Sequence, residues 1–198
     1  MTRRVEALRS ALRERNLGHL AALSGARLER GALELPYWGR RVRIGWPDLA
    51  GTSLEDGSSC GTFDLAMLLY YLATADGSPL ADRWIGFREL PDGAFYNQAF
   101  QGYSGNPLAK RFGEQPQDLA AAAGHLSGER LSALAPEAYS FQPLPRIRLA
   151  VALWPGDEDF PARASVLFDA ASSHYMTTDG LALLGSGLAR RLLRAAVA

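Results

Sequence analysis

Cysteine is almost missing from this chain: Cys60 stands alone among 198 residues. No internal disulfide can form, and no thiolate cluster can hold a metal. Lysine is as scarce, with only Lys110 beside the arginines, a compositional bias that carries no mechanism. The three histidines, His19, His125 and His174, lie far apart, without HxH, HxxxH or HExxH spacing, which argues against a zinc or iron–sulfur centre built by this chain alone. No GxGxxG follows a strand pattern. GSSCGT (57–62) lacks the lysine and spacing of a phosphate-binding P-loop, and GYSGN (102–106) only superficially resembles a nucleophile elbow. No apolar run approaches bilayer length, and the charged stretch Arg13–Asn16 interrupts any signal core. The expected address is the cytoplasm, with no membrane association. Lys plus Arg balance Asp plus Glu at 21 each, so no global charge recommends a nucleic acid partner.

What is present suits one globular domain over residues 1–198: 47% hydrophobic and 21% charged residues lie close to the average for folded domains. The charge is unevenly spread. Residues 1–45 hold ten arginines against four glutamates, whereas 155–180 hold Asp157, Glu158, Asp159, Asp169 and Asp179 against Arg163, an arrangement that favours attraction between the two ends. From Thr2 to about Leu23, Val5, Leu8, Leu12 and Leu20 recur at helical spacing with arginines elsewhere, predicting an amphipathic surface helix. Leu33–Ile44 alternates around Pro36 and Gly39, as two short strands or one bent strand do, and a Gly/Ser/Asp loop runs on to Gly61.

Thr62–Ala75 is apolar nearly all round, predicting a central helix buried on most sides, with Thr62 as N-cap and Asp64 in the first turn. Trp84–Leu90 and Ala94–Tyr96 flank Pro91-Asp92-Gly93, a hairpin signal. Asn106-Pro107 and Gln115-Pro116 each set proline at a helix start. Arg146–Trp154 alternates, with Ile147, Leu149, Val151 and Leu153 on a core face and a lightly covered face opposite, and Ser165–Asp169 reads as the next strand. Thr177 or Thr178 then opens a terminal helix carrying Leu181, Leu184, Leu188 and Leu192, weakened by Gly185 and Gly187. Strands and helices come in blocks. The expected class is therefore α+β: a mixed or antiparallel sheet of short strands and hairpins, packed with a buried central helix and amphipathic terminal helices.

The densest chemistry lies in WPGDEDFPARASVLFD (154–169). Asp157 and Asp159, with Asp169 if the second strand folds back, can face a hard cation; they equally suit an acidic turn that satisfies backbone amides. Trp154 and Phe160 bracket the acids, and His174 follows closely. Trp154, Gly156, Asp157, Glu158, Asp159, Phe160, Asp169 and His174 are accordingly the candidate ligand-binding residues. Cys60 lies just before the Thr62 helix, where the helix dipole would favour its thiolate, and Gly57–Gly61 offers backbone amides to an anion. Tyr37, Trp38, Trp46, Trp84, Phe95, Tyr96, Phe100 and Tyr103 make the first half aromatic-rich. Most are expected in the core, with some lining a pocket.

LAVALWPGDEDFPARASVLFDAASSHYMTTDGLALLG (149–185) resembles the signature end of a prokaryotic family, domain of unknown function 3786. The family pattern runs W-x-G-D-E-E-F-P, then L-F-D, then an acidic helix start. Trp154, Gly156, Asp157, Glu158, Phe160, Pro161 and Leu167-Phe168-Asp169 match it, with Asp159 in place of Glu and Thr178-Asp179 at the helix start. The ELPYWGRRVRI, LAMLLYYL and FRELPDGAFY segments are similar in order, so the resemblance spans most of the chain. It implies no particular reaction or cofactor. Relatives joined to cysteine-rich iron–sulfur segments imply a place beside redox or corrinoid metabolism, and this sequence carries no such segment. Three readings follow: an accessory protein holding a small-molecule ligand or cofactor near the 154–169 turn, an acid–base or metal-assisted enzyme using Asp157, Glu158, Asp159 or Asp169 with His174, and an interaction module presenting its arginine-rich first helix to a protein partner.

Overall fold

The computed structural model describes residues 2–196, with the side chains of residues 2–4 left aside. Two antiparallel sheets form its frame. The first has β1 (Arg27–Glu29), β2 (Ala32–Tyr37), β3 (Arg40–Ile44) and β4 (Gly51–Ser53) in chain order. The second is built from β5 (Trp84–Gly86), β6 (Glu129–Arg130), β7 (Glu137–Leu144), β8 (Ile147–Trp154) and β9 (Arg163–Asp169), ordered β5-β9-β8-β7-β6. The α+β class and the antiparallel pairing expected from the sequence are both observed. No helix among the described residues is long and apolar enough to cross a membrane.

Local chemistry explains where the elements end. The first helical stretch is two helices, α1 (Thr2–Arg13) and α2 (Leu17–Ser24), rather than one. Asn16 interrupts them: it is extended, and its side chain accepts from the His19 N–H at 2.9 Å, which starts a new helix. β2 and β3 join through Trp38 and Gly39, both at positive φ (52° and 79°), as a two-residue hairpin requires. β1 and β4 were hidden in sequence, being three residues each. The central helix α3 (Thr62–Thr74) buries Leu65–Leu69, Tyr71 and Leu72. Its N-cap is Gly61, without a side-chain bond, so Thr62 does not cap it.

The hairpin expected around Pro91-Asp92-Gly93 is not formed. Only Trp84–Gly86 is strand, paired with β9, and the turn leads into α4 (Gly93–Tyr103). Aromatics at 96, 100 and 103 follow helical spacing, and Phe100 is fully buried against Phe87 at a ring-centroid distance of 4.2 Å. α6 (Pro116–His125) starts at its expected proline, whereas α5 (Gly105–Phe112) starts two residues before Pro107, which is its third residue and not its first. The second face of β8 is better covered than its pattern suggested: Ala150 and Ala152 are as buried as Leu149 and Val151, and Ala138 and Ser140 lie beside them in register.

The terminal helix α7 (Thr178–Ala195) buries Leu181, Leu184, Leu188 and Leu192 as predicted, and Thr177 precedes it without a side-chain cap bond. Its glycines, which weaken an isolated helix, have a packing reason. A Cβ on Gly185 would lie 2.8 Å from Phe100 Cζ and 3.1 Å from Phe168 Cζ, so the helix backbone rests on those rings. Ordinarily glycine inside a helix costs about 1 kcal/mol relative to alanine. Gly185→Ala is therefore expected to destabilise by about 1–3 kcal/mol through overpacking. Gly124→Ala, where a Cβ meets nothing within 4 Å, is expected to stabilise by up to about 1 kcal/mol. Urea unfolding of the two variants checks the opposite signs.

Candidate functional site

The candidate residues of the 154–169 segment divide between the two ends of β9. At one end the β8–β9 connection is a tight acidic turn. Asp157 Oδ1 accepts from the backbone N–H groups of Asp159 (3.0 Å) and Phe160 (2.7 Å), and the Asp157 N–H donates to the Phe160 carbonyl at 2.9 Å. Gly156 is required there, since a Cβ would sit 2.8 Å from the Ala162 nitrogen. Trp154 lies under the Arg163 guanidinium at 4.7 Å, while Glu158 and Asp159 are exposed. An open cavity of about 770 Å³ borders this turn, lined by Gly156, Asp157 and Phe160 and by Asn106, Lys110 and Glu114 of the α5–α6 region.

Asp169 lies at the other end, about 20 Å away along the strand at ~3.3 Å per residue. It is buried and accepts from the N–H groups of Ala81, Asp82 and Ala171, each at 2.9 Å. It anchors the 81–82 loop. His174 is held by Asp76 Oδ2 at 2.7 Å and Ser78 Oγ at 3.1 Å, both on Nδ1. Because serine and aspartate share one ring nitrogen, no relay crosses the imidazole as it does in a Ser–His–Asp triad. Asp157, Glu158 and Asp159 therefore do not converge with Asp169 and His174. Among the described residues no group of three or more His, Cys, Asp or Glu side chains is arranged to hold a metal.

Other expectations also change. Burial raises the Cys60 thiol, and nearby Asp64 raises it further, opposite to activation at the helix start. In the 57–61 loop, Asp56 occupies the Ser58 N–H and hydroxyl, which removes donors from an anion cradle. No ion pair joins residues 1–45 to 155–180 among the described residues; Arg13 and Arg15 instead donate to the carbonyls of Pro47 and Ala73. Several aromatics expected inside are outside, with Phe95 97% exposed and Tyr96 and Tyr103 on the same helix partly so.

A second region, absent from the sequence expectations apart from its aromatics, brings opposed elements together. The Trp38–Gly39 turn leans on the second sheet, its Trp38 N–H donating to the Pro143 carbonyl at 3.0 Å. Pro143 falls within the register shift of β7 between Phe141 and Leu144, a position where a strand tolerates proline. Between this turn and the C-terminal half of α7 lies a cavity of about 540 Å³ lined by Tyr37, Trp38, Arg40, Asp64, Arg191 and Arg194. A lobe of about 270 Å³ shares Trp38, Arg40 and Arg191 with it and continues to His125, Ser127, Phe141 and Gln142.

Arg191 stacks over the Trp38 ring at 4.1 Å. Burial lowers its pKa from the ordinary arginine value, opposed by the Tyr37 and Asp64 oxygens, and an arginine stays protonated nonetheless. The Tyr37 hydroxyl donates to Asp64 Oδ1 at 3.0 Å. Burial, and then the Asp64 charge, push the phenol up, so it keeps its proton. Arg40, Arg191 and Arg194 form no ion pair among the described residues. In sequence the signals were a Trp-Gly-Arg hairpin apex and arginines at 191 and 194 near the end of a helix with a buried leucine stripe, spaced to share a face.

These features describe a two-sheet α+β protein with a cationic, aromatic-walled cleft. The chain belongs to the family described as Domain of unknown function (DUF3786), whose model matches residues 16–191. No curated protein and no solved structure matches it.

The Asp76–His174 contact has a measurable consequence. The Ser78 N–H, and then the His174 ring, hold the Asp76 carboxyl at about 2, below its ordinary value of about 4. A carboxyl depressed on folding adds stability that is present above the unfolded value and lost as pH falls through the folded one. The stability gap between wild type and Asp76→Asn is expected to be open above pH about 4 and to close toward pH about 2. Urea unfolding across that range tests it, and a constant gap would contradict it.

Proposed function

We propose that this is a small ligand-binding protein that takes an organic anion into the cleft between the Trp38 turn and α7. The supporting observation is that three guanidiniums without an ion pair among the described residues, from Arg40, Arg191 and Arg194, line one cavity whose lining carries a single carboxylate, Asp64; Arg191 donates to the Gly187 carbonyl at 3.3 Å and stacks on Trp38. Arg191 is half-buried and Arg40 and Arg194 are exposed; like charges gathered around one cavity repel, and an anionic ligand relieves that repulsion. A purely structural account explains only part of this: cations near the end of α7 complement the helix dipole, but Arg40 belongs to β3. Trp38, stacked by Arg191, supplies the apolar wall such sites use to orient a ligand.

This retains the aromatic-walled ligand pocket expected from the sequence and moves it from the acidic turn to the cationic cleft. A second reading keeps the turn itself as the site, favoured by the adjoining cavity of about 770 Å³ and by Phe160, which is 71% exposed at its edge. Its charges, Lys110 against Glu114 and Asp157, recommend no anion. We keep the proposal cytoplasmic, since one cysteine offers nothing to an oxidising compartment.

Native mass spectrometry of the protein purified from its own host, as wild type, Arg191→Gln and Phe160→Ala, separates the two. A co-purifying anionic mass lost only in Arg191→Gln is expected. Loss only in Phe160→Ala would move the site to the turn, and a bare mass in all three would contradict both.

A further inference from the structure

Resting on the anion-binding reading of the same cleft, we infer that the group held there is a phosphate monoester. The charge count comes first. Three guanidiniums and the Asp64 carboxylate leave a formal excess of two positive charges on the lining. A phosphate monoester carries about −1.5 to −2 at neutral pH and neutralises it. A single carboxylate leaves one guanidinium uncompensated.

Donor geometry points the same way. Arg191 and Arg194 are three positions apart on α7 and share a face, while Arg40 approaches from β3. Each guanidinium is a planar fork that engages oxygens in pairs. A carboxylate has two coplanar oxygens, which one or two forks saturate, whereas the three terminal oxygens of a phosphate monoester accept from donors on different sides. Asp64 does not compete for the forks at close range: the Tyr37 hydroxyl takes one of its oxygens, and it forms no ion pair among the described residues. The adjoining lobe of about 270 Å³ is lined by neutral hydrogen-bonding groups, Ser127 and Gln142, beside the Phe141 ring. That lobe gives the esterified body of the ligand a mixed polar and apolar seat.

Isothermal titration calorimetry with phenyl phosphate, methyl phenyl phosphate and succinate, at pH 5 and pH 7.5, tests the inference on the full chain. Phenyl phosphate is expected to bind at least about tenfold more tightly than the singly charged diester. Its affinity is expected to rise about tenfold from pH 5 to 7.5 as the second phosphate proton leaves near pH 6. The groups facing the ligand are Tyr37, Arg40, Asp64, Arg191, Arg194 and, in the lobe, His125. Positive charge gained by any of these groups on acidification strengthens anion binding at low pH and opposes the expected trend. Arg40→Gln and Arg194→Gln, with thermal unfolding as in wild type, are each expected to weaken phenyl phosphate about tenfold or more. Equal or tighter binding of succinate or of the diester, lost in the arginine variants, would overturn the phosphate assignment and leave the anion site standing. No binding of any probe, or binding indifferent to both variants, would overturn the assignment and the anion reading together.

Discussion

A backbone resting directly on aromatic rings sets the position of the last helix, and the cleft follows from that position. At Gly185 there is no room for even a methyl group beside Phe100 and Phe168, so α7 approaches α4 and β9 more closely than a helix with side chains on that face. Two residues further on, on another side of the helix, Gly187 lies within reach of Trp38: a Cβ there would lie 3.7 Å from the indole. Arg191 follows one turn later, stacked on that ring. The small-residue stretch Gly185-Ser186-Gly187, costly to an isolated helix, therefore holds the arginine end of α7 against the hairpin of the other sheet.

From the opposite side, the hairpin apex is fixed by its hydrogen bond to Pro143 at the β7 irregularity. Trp38 adopts a φ of 52° there, a conformation uncommon for a bulky residue. Orientation is what this arrangement achieves: the ring is presented to α7 rather than to solvent. The cleft thus depends on contacts between parts of the chain some 150 residues apart, and its electrostatics depend on arginines that form no ion pair among the described residues.

The periodic features of the fold were legible in sequence because they are local. β2, β3, α3, β8 and α7 each declare themselves through an alternation or a helical stripe of buried residues. The Pro91-Asp92-Gly93 turn misled because its chemistry is shared by hairpins and helix starts, and the decision rests with Phe100 reaching Phe87. For the acidic turn the sequence left two alternatives, carboxylates facing a ligand and an aspartate satisfying amides, and the Asp157 bonds realise the second. Its proposed company with Asp169 and His174 was a matter of tertiary distance, which adjacency in sequence conceals. The arginine cleft was illegible for the same reason in reverse: Arg40 and Arg191 are ordinary surface cations until the two sheets meet. Family membership covers residues 16–191 without supplying a chemistry.

The central claim is that Trp38 looks into a cleft of positive potential, and collisional quenching of tryptophan fluorescence tests it most directly. Trp38→Phe, subtracted from wild type, isolates this residue from Trp46, Trp84 and Trp154. An iodide quenching slope for the Trp38 component well above the caesium slope, falling toward parity in Arg191→Gln, is the predicted result. Equal slopes in wild type, or a preference for caesium, would contradict the account.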